Sequence, residues 1–394
     1  MSEKPNREAP DPYAVKVNSG SELTGADRAA CLAILAAGGA VNVQTASREL
    51  PRTTLMATVR RDNAIVGVGA IKRERPEYAL EKAKLSGFDF DPNTPELGYV
   101  AVDREHRERG LSGRIVEALT ADYHGRLFAT TDDPFMKRTL THARFAHRGE
   151  DWEGERGRLS LWIRDSREEV VSALLVEIQD RIGAFRAKLP TTVDGFAISR
   201  ESKLPFKAIL YREALLWRMT ELSSSACDGL RKDLLAVGVL LTRGAVETAA
   251  AVWYLRGKLE AVNDSGSLGN VDEDLMSLLM GSRNNPDLPK ATNVLTFVDR
   301  VDKEVEGFRK QYDGLSEFAH PNWAGTTLLY SKPDPQIMGA NLGANVRSSE
   351  ATKQIAVVNL SVALMIFERS YNRISEVLPD FVSLCERRAT QGDS

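Results

Sequence analysis

Residues 96–119 read ELGYVAVDREHRERGLSGRIVEAL: an alternating apolar run, a cluster of charge, two glycines, then a helical pattern. These residue types at this spacing suit an anion. A strand ending at Val102 that feeds a helix through the turn Arg107–Gly113 presents successive backbone amides at a helix N-terminus, where the helix dipole also favours negative charge. Gly110 and Gly113 carry no Cβ, so a phosphate group can approach the backbone closely. Arg104, Arg107, Arg109 and Arg114 add positive charge around the turn. A pyrophosphate is the natural guest. Glycine-rich turns that hold nothing are also common, so the turn has to be weighed with what surrounds it.

A second set of chemically capable residues lies far downstream. Arg243 and Glu247 stand at i and i+4 in the very apolar stretch VGVLLTRGAVETAAAVWYL, on one helix face. Ser316 and His320 stand at i and i+4 just before Pro321. Ionisable groups on an apolar helix are tolerated when paired, so Arg243, Glu247 and His320 are expected to meet in one cluster with Ser316 beside His320. That cluster reads either as a structural polar network that includes Tyr312 or as a site. Cys31, Cys227 and Cys385 are far apart, odd in number and without metal spacing. No metal site and no disulfide framework is expected, and a reducing cytoplasm fits.

The elements that must position these residues fall into two textures. Over residues 13–165 the order is strand, helix, hairpin, strand, helix, strand, helix, strand, which predicts an α/β domain with a mixed sheet. The first helix stops at Gly38–Gly39, and Asp62–Asn63 form the hairpin turn. Residues 1–12 are polar and Pro-rich and read as a disordered lead. From residue 166 to 394 apolar residues recur at three-and-four spacing, which predicts an all-α helical bundle domain. Its longest loops are 263–270 and 331–349. The net charge of −3 over 394 residues does not recommend a general nucleic-acid binder. No apolar run is expected to span a membrane.

The run VDREHRERGLSGRIVEAL resembles the acyl-CoA loop of GNAT-type N-acetyltransferases. There a strand ends in Val, and an Arg or Gln, two residues, Gly, one residue, and Gly or Ala follow; here these are Val102, Arg107, Gly110 and Ser112. Ser112 departs from the last position. MKRTLTHARF resembles the family's helix before its Gly-Phe strand, with Arg144–Phe145 at that place. The resemblance covers about residues 13–165. It implies transfer of an acetyl group from acetyl-CoA, as co-substrate, to an amine. The pantetheine would pair with the backbone of Tyr99, Val100, Ala101 and Val102, and the pyrophosphate would sit on Arg107, Glu108, Arg109, Gly110, Leu111, Ser112 and Gly113. Amides near Val102 would polarise the thioester carbonyl.

The resemblance also implies a carboxylate base at Glu96, acting through a water, with a surface charge on an edge strand as the plain alternative. The position where relatives often carry a Tyr acid falls on Leu140, which cannot protonate a thiolate. His142 and Tyr123 are near in sequence and read more plainly as solvated surface. Residues 73–95 are longer than a hairpin link needs; Tyr78, Lys82 and Phe88 there are acceptor contacts or simply a surface loop with a short helix.

The helical half resembles HEPN-like domains, some ribonucleases and others binding or scaffold modules. Their Arg, four to six residues, His spacing fails here, since Arg309 lies 11 positions before His320. Two functions follow. One is an acetyltransferase whose helical half recognises a partner or forms a homodimer, its acceptor a small amine, a protein or an aminoacyl-tRNA. The other is a toxin or anti-phage type effector whose helical half binds or cleaves RNA while the GNAT-like half binds acyl-CoA.

Overall fold

The computed structural model describes residues 11–39, 41–154, 157–344, 346–347 and 350–391. The chain divides into two compact units, Met1–Glu169 and Val170–Ser394. Of the expected lead, residues 1–10 lie outside the described residues. Asp11 is held in place: it ion-pairs with Arg114 at 2.8 Å and accepts from the Tyr13 amide at 3.0 Å.

The first unit runs β1 (Ala14–Asn18), α1 (Gly25–Gly38), α2 (Val43–Glu49), β2 (Leu55–Arg61), β3 (Ala64–Ile71), α3 (Pro76–Ser86), β4 (Leu97–Val102), α4 (Leu111–Asp122), β5 (Leu127–Thr131), α5 (Pro134–His142), β6 (Ala146–Glu153) and β7 (Arg158–Arg164). The single mixed sheet expected from the sequence is two antiparallel sheets, β1-β2-β3-β4 and β5-β7-β6. One parallel bridge, Glu96 to Phe128, joins them. Local chemistry sets the ends. Thr24 caps α1 by accepting from the Asp27 amide, and Gly39 closes it at φ +64°. Asp62 and Asn63 both take positive φ, +49° and +68°, in the β2–β3 turn, the backbone that two-residue hairpins require.

Packing on the first sheet differs by face. One face, with Met56, Val68 and Ala70, buries Ile34 and Leu35 of α1. On the other, Ala57, Val59 and Leu97 pack with Ile115, Val116 and Leu119 of α4. Helix α4 lies unusually close to β3: a Cβ on Gly69 would stand 2.3 Å from Ile115 Cγ2. The glycines of the GVG run thus fix the height of α4 above the sheet, and with it the position of the Arg107–Gly113 turn.

The second unit is helical: α6 (Arg167–Ala187), whose first turn contains the division at Glu169, α7 (Gly195–Ile198), α8 (Leu204–Arg231), α9 (Leu235–Ser265), α10 (Val271–Met280), α11 (Val294–Asp302), α12 (Phe308–Ala319), a π-turn over Trp323–Thr327 that continues as α13 (Leu328–Tyr330), and α14 (Glu350–Thr390). A small hairpin, β8 (Ser331–Asp334) and β9 (Gly339–Leu342), occupies most of the expected long loop; residues 345, 348 and 349 of that loop lie outside the described residues. Most of α9 is buried, including Ala245, Ala249, Ala250 and Val252, and its core partners include Leu216, Val357, Leu360 and Phe367 from α8 and α14.

Contrary to the expectation that no run could cross a membrane, α9 and α14 are long and apolar enough by length and composition. Here they are core helices, and a helix packed on most sides in an all-α unit is apolar nearly all round.

Candidate active site

The first unit holds a cleft of about 1790 Å³ between β4 and β5. Its origin is topological. β4 and β5 run parallel and touch only at their starts, through the Glu96–Phe128 bridge and the Phe128 amide donating to the Pro95 carbonyl at 3.0 Å. Beyond that point no strand pairs with the facing edge of either one, among the described residues. The exposed edge of β4 therefore offers backbone donors and acceptors to an extended ligand, as a missing strand would use them.

β4 is also bulged. Ala70 faces Gly98 and Val68 faces Ala101, so Tyr99 and Val100 share one partner position on β3, and Tyr99 sits at φ +56°. A bulge re-aims the backbone at one point of a strand. Tyr99, Val100, Ala101 and Val102 all line the cleft.

At the C-terminal end of β4 the cleft reaches the turn before α4. Arg107, Glu108, Gly110, Leu111, Ser112 and Gly113 line it. Glu108 and Gly110 take positive φ, +61° and +69°. Gly110 caps α4 with no side-chain bond to the first amides, and the first turn carries no acidic residue. A Cβ on Gly110 or Gly113 would meet no atom within 4 Å. Uncapped amides beside open space are the physical requirement for an anion site.

The arginines separate. Arg107 lines the cleft and donates through Nε to the Val102 carbonyl at 3.2 Å. Arg104 and Arg109 are exposed and outside the cleft lining. Arg114, expected to add charge at the turn, instead ties the start of β1 through Asp11 and the Tyr13 carbonyl. One turn into the helix, its side chain has the β1 lead for a neighbour.

At the other end of β4, Glu96 lines the cleft while only 6% exposed, which sets aside the solvated edge-strand alternative. Lys72 Nζ lies 3.0 Å from its Oε1, and Arg75 Nη2 bonds its Oε2. Lys72 stands opposite Glu96 because the β3–β4 register continues one step past the strand, with the Lys72 amide on the Glu96 carbonyl at 2.8 Å. Burial pulls the Lys72 pKa below the ordinary lysine value even though Glu96 opposes the shift. Tyr78 of α3 also lines the cleft, and burial pushes its pKa up to about 12. Lys82 joins this wall, whereas Phe88 packs beneath α3 with Phe90 and Trp152.

Lys72 and Arg75 are the site residues that sequence reasoning missed. The signal was available for Lys72: pairing the two strands in register sets it across from Glu96. Arg75 had none, since its place depends on how α3 starts. Leu140 is fully buried. His142 is exposed at the cleft rim, and Tyr123 closes the far end of α4, away from the turn. Among the described residues no three His, Cys, Asp or Glu side chains gather as a metal site.

In the second unit Tyr312 is the centre of the cluster. Its hydroxyl donates to Glu247 at 2.9 Å and accepts from Arg243 Nη2 at 3.0 Å, while Arg243 Nε lies 3.3 Å from Glu247. Ser316 bonds back to the Tyr312 carbonyl at 3.0 Å. The expected meeting with His320 fails. His320 is exposed, and no hydrogen bond or ion pair joins it to Arg243 or Glu247 among the described residues. The reason is helical rise: His320 lies eight positions after Tyr312, roughly 12 Å along the axis.

No family model and no curated protein matches the chain. Among solved structures, Escherichia coli ElaA is 13% identical, covers 39% of this chain and 99% of its own, and has a TM-score of 0.29. An acetyltransferase from Thermus thermophilus is 16% identical, with 38% and 96% covered and a TM-score of 0.27. An acyl-CoA N-acyltransferase from Pseudomonas aeruginosa is 14% identical, with 39% and 99% covered and a TM-score of 0.28.

Proposed function

We propose that the first unit is an acyl-CoA-dependent N-acyltransferase, with acetyl-CoA as its co-substrate and an amine as acceptor. The observation that carries this reading is the splay of β4 from β5 above a single bridge, leading to an uncapped, glycine-lined helix N-terminus at the end of β4. A pantetheine arm is an extended amide chain that suits an open strand edge, and the pyrophosphate beyond it suits the amides of Leu111, Ser112 and Gly113. In this reading the backbone dipoles of the Tyr99–Val100 bulge would face the thioester carbonyl, where charge builds as the acceptor nitrogen attacks. The new C–N bond forms as the C–S bond breaks. CoA leaves as a thiolate, and the proton shed by the amine passes through water. Glu96 assists that proton: a carboxylate oxygen already in an ion pair keeps a second lone pair for water.

Calorimetric titration of the full chain with CoA tests the reading. Gly110→Asp is expected to weaken binding roughly 100-fold, because it brings a like charge to the pyrophosphate. Gly110→Ala separates charge from the strain of a side chain at φ +69°. Equal affinity for folded Gly110→Asp would refute the turn as the anion site. For the second unit we infer partner recognition or self-association, in a reducing cytoplasm. The buried, free thiols of Cys31, Cys227 and Cys385 support the compartment.

A further inference from the structure

The end of the cleft near Glu96 carries more positive than negative charge. Lys72, Arg75 and Lys82 line it with Glu81 and Glu96. Lys82 pairs with Glu81 at 2.8 Å, which leaves Lys72 and Arg75 to share Glu96. Glu49, the next carboxylate within electrostatic reach of Lys72, lies 3.8 Å from Arg52. Among the side chains lining this end, three cations therefore face two carboxylates, with Glu49 as a more distant negative charge.

The donors are also held in fixed positions. The Arg75 guanidinium carbon lies 4.2 Å from the Tyr78 ring centroid, a cation–π contact that helps hold it. Its Nη2 bonds Glu96 and its Nε is shielded, as are the Nε atoms of Arg28, Arg126, Arg243 and Arg256, yet 32% of the side chain remains exposed and Arg75 lines the cleft. A guanidinium carries five N–H donors, so one that already holds a carboxylate can receive a second carboxylate oxygen. Lys72 Nζ lies 4.2 Å from the Tyr99 ring centroid and directly over Gly98, where a Cβ would stand 2.8 Å from it. Burial works against its charge, and an anion beside it would relieve that cost. Tyr99 belongs to the bulge, so this cationic pair sits next to the point where the thioester carbonyl is expected.

We propose that this end of the cleft takes an acceptor whose amine carries a carboxylate a few bonds away, the carboxylate being received by Arg75 and Lys72. The amine then faces the Tyr99–Val100 bulge. The amine's part in this rests on the acyl-transfer reading above; the carboxylate's part does not. A plain cationic amine meets a poorer site, because it must displace Arg75 from Glu96 and leave two cations facing it.

Paired probes test this: 4-aminobutyrate against butylamine, and glycine against methylamine, titrated calorimetrically into the full chain with and without CoA. The carboxylated member of at least one pair is expected to bind about tenfold more tightly than its plain partner, the size of one charge-assisted contact. Arg75→Ala should bring that ratio close to one, and Arg75→Lys should restore part of it, with the melting temperature followed as the control for folding. Equal binding within both pairs, tighter binding of the plain amines, no binding by any probe, or a ratio that survives Arg75→Ala would each overturn the proposal. Failure of CoA to bind, with the carboxylate preference intact, would remove the acyl-transfer reading and leave this anion site standing.

Discussion

Glu96 shows how much of a residue's role is set by its neighbours. By itself it is a carboxylate at the start of a strand. With Lys72 and Arg75 on its two oxygens it is both a candidate base and the anion that lets two cations share a half-buried floor. Glu96→Gln is therefore expected to do two things. Turnover at neutral pH should fall about 100-fold, the usual scale for a lost general base, and the deficit should shrink as pH rises towards the amine's own pKa. Stability should fall by about 1–3 kcal/mol, below the full cost of breaking a buried pair because Arg75 is a third exposed. Turnover profiles against pH and thermal unfolding of the variant check both. A deficit that is flat across pH would assign Glu96 to holding Lys72 and Arg75 alone. Arg144 makes a related point. It stands where the resembled family has glycine, and it takes φ +65°. A left-handed backbone favours glycine, so a side chain carries strain at this position.

At the scale of elements, helices α9 and α12 are joined by Tyr312, whose single hydroxyl serves Arg243 and Glu247 together. Tyr312→Phe keeps the ring and removes only that hydroxyl. It is expected to cost about 1–3 kcal/mol, since it leaves a partly buried charged pair without its shared partner. His320→Ala, at the exposed end of α12, should move the melting temperature little. Chemical denaturation of the two variants side by side distinguishes them. If His320→Ala proved the more destabilising, the network would be centred elsewhere. The break between α8 and α9 has a different origin. The sequence 230–262 reads as one helix by period, yet Asp233 turns at φ +55° and α9 starts at Leu235. The turn is tight enough that a Cβ on Gly238 would stand 2.5 Å from Leu230 Cδ2. Glycine permits that approach, and nothing in the apolar period announces it.

Both units of the molecule carry tyrosines whose ionisation burial opposes. Tyr78 in the first, and Tyr211 and Tyr371 in the second, have pKa values pushed up to about 12, with desolvation as the largest cause in each. For a group whose folded pKa lies above its unfolded value of about 10, the stabilising contribution is complete below pH ~10 and is lost as pH climbs through the folded value. Stability of each unit is therefore expected to fall between pH ~10 and ~12. Tyrosinate absorbance followed together with circular dichroism checks this. These three tyrosines should ionise with loss of structure, and full tyrosinate signal in a still-folded chain would contradict the shifts. Met338, 97% exposed in the turn of the β8–β9 hairpin, lies outside this buried set.

What the sequence determined by itself was local. The strand at 97–102, the glycines of the turn, the start of α4, the stop at Gly39 and the Asp62–Asn63 turn all follow from side-chain period and backbone preference, which act within a few residues. Strand β6 escaped the periodicity for the same reason, although the resemblance implied a strand after Arg144–Phe145: AHRGEDWE is mostly exposed and carries no alternating apolar face to betray it. Tertiary structure decided the rest. Whether β4 and β5 pair or splay depends on hydrogen bonds between residues some 30 positions apart in sequence, and period is blind to them. The same holds for the ion cluster, because Lys72, Arg75 and Glu96 become neighbours only when β3 and β4 settle into register and α3 begins where it does. Periodicity could place Tyr312 and His320 on the same helix. Only the fold chose which of them meets Arg243 and Glu247, since a rise of roughly 12 Å along a helix axis separates one contact surface from another.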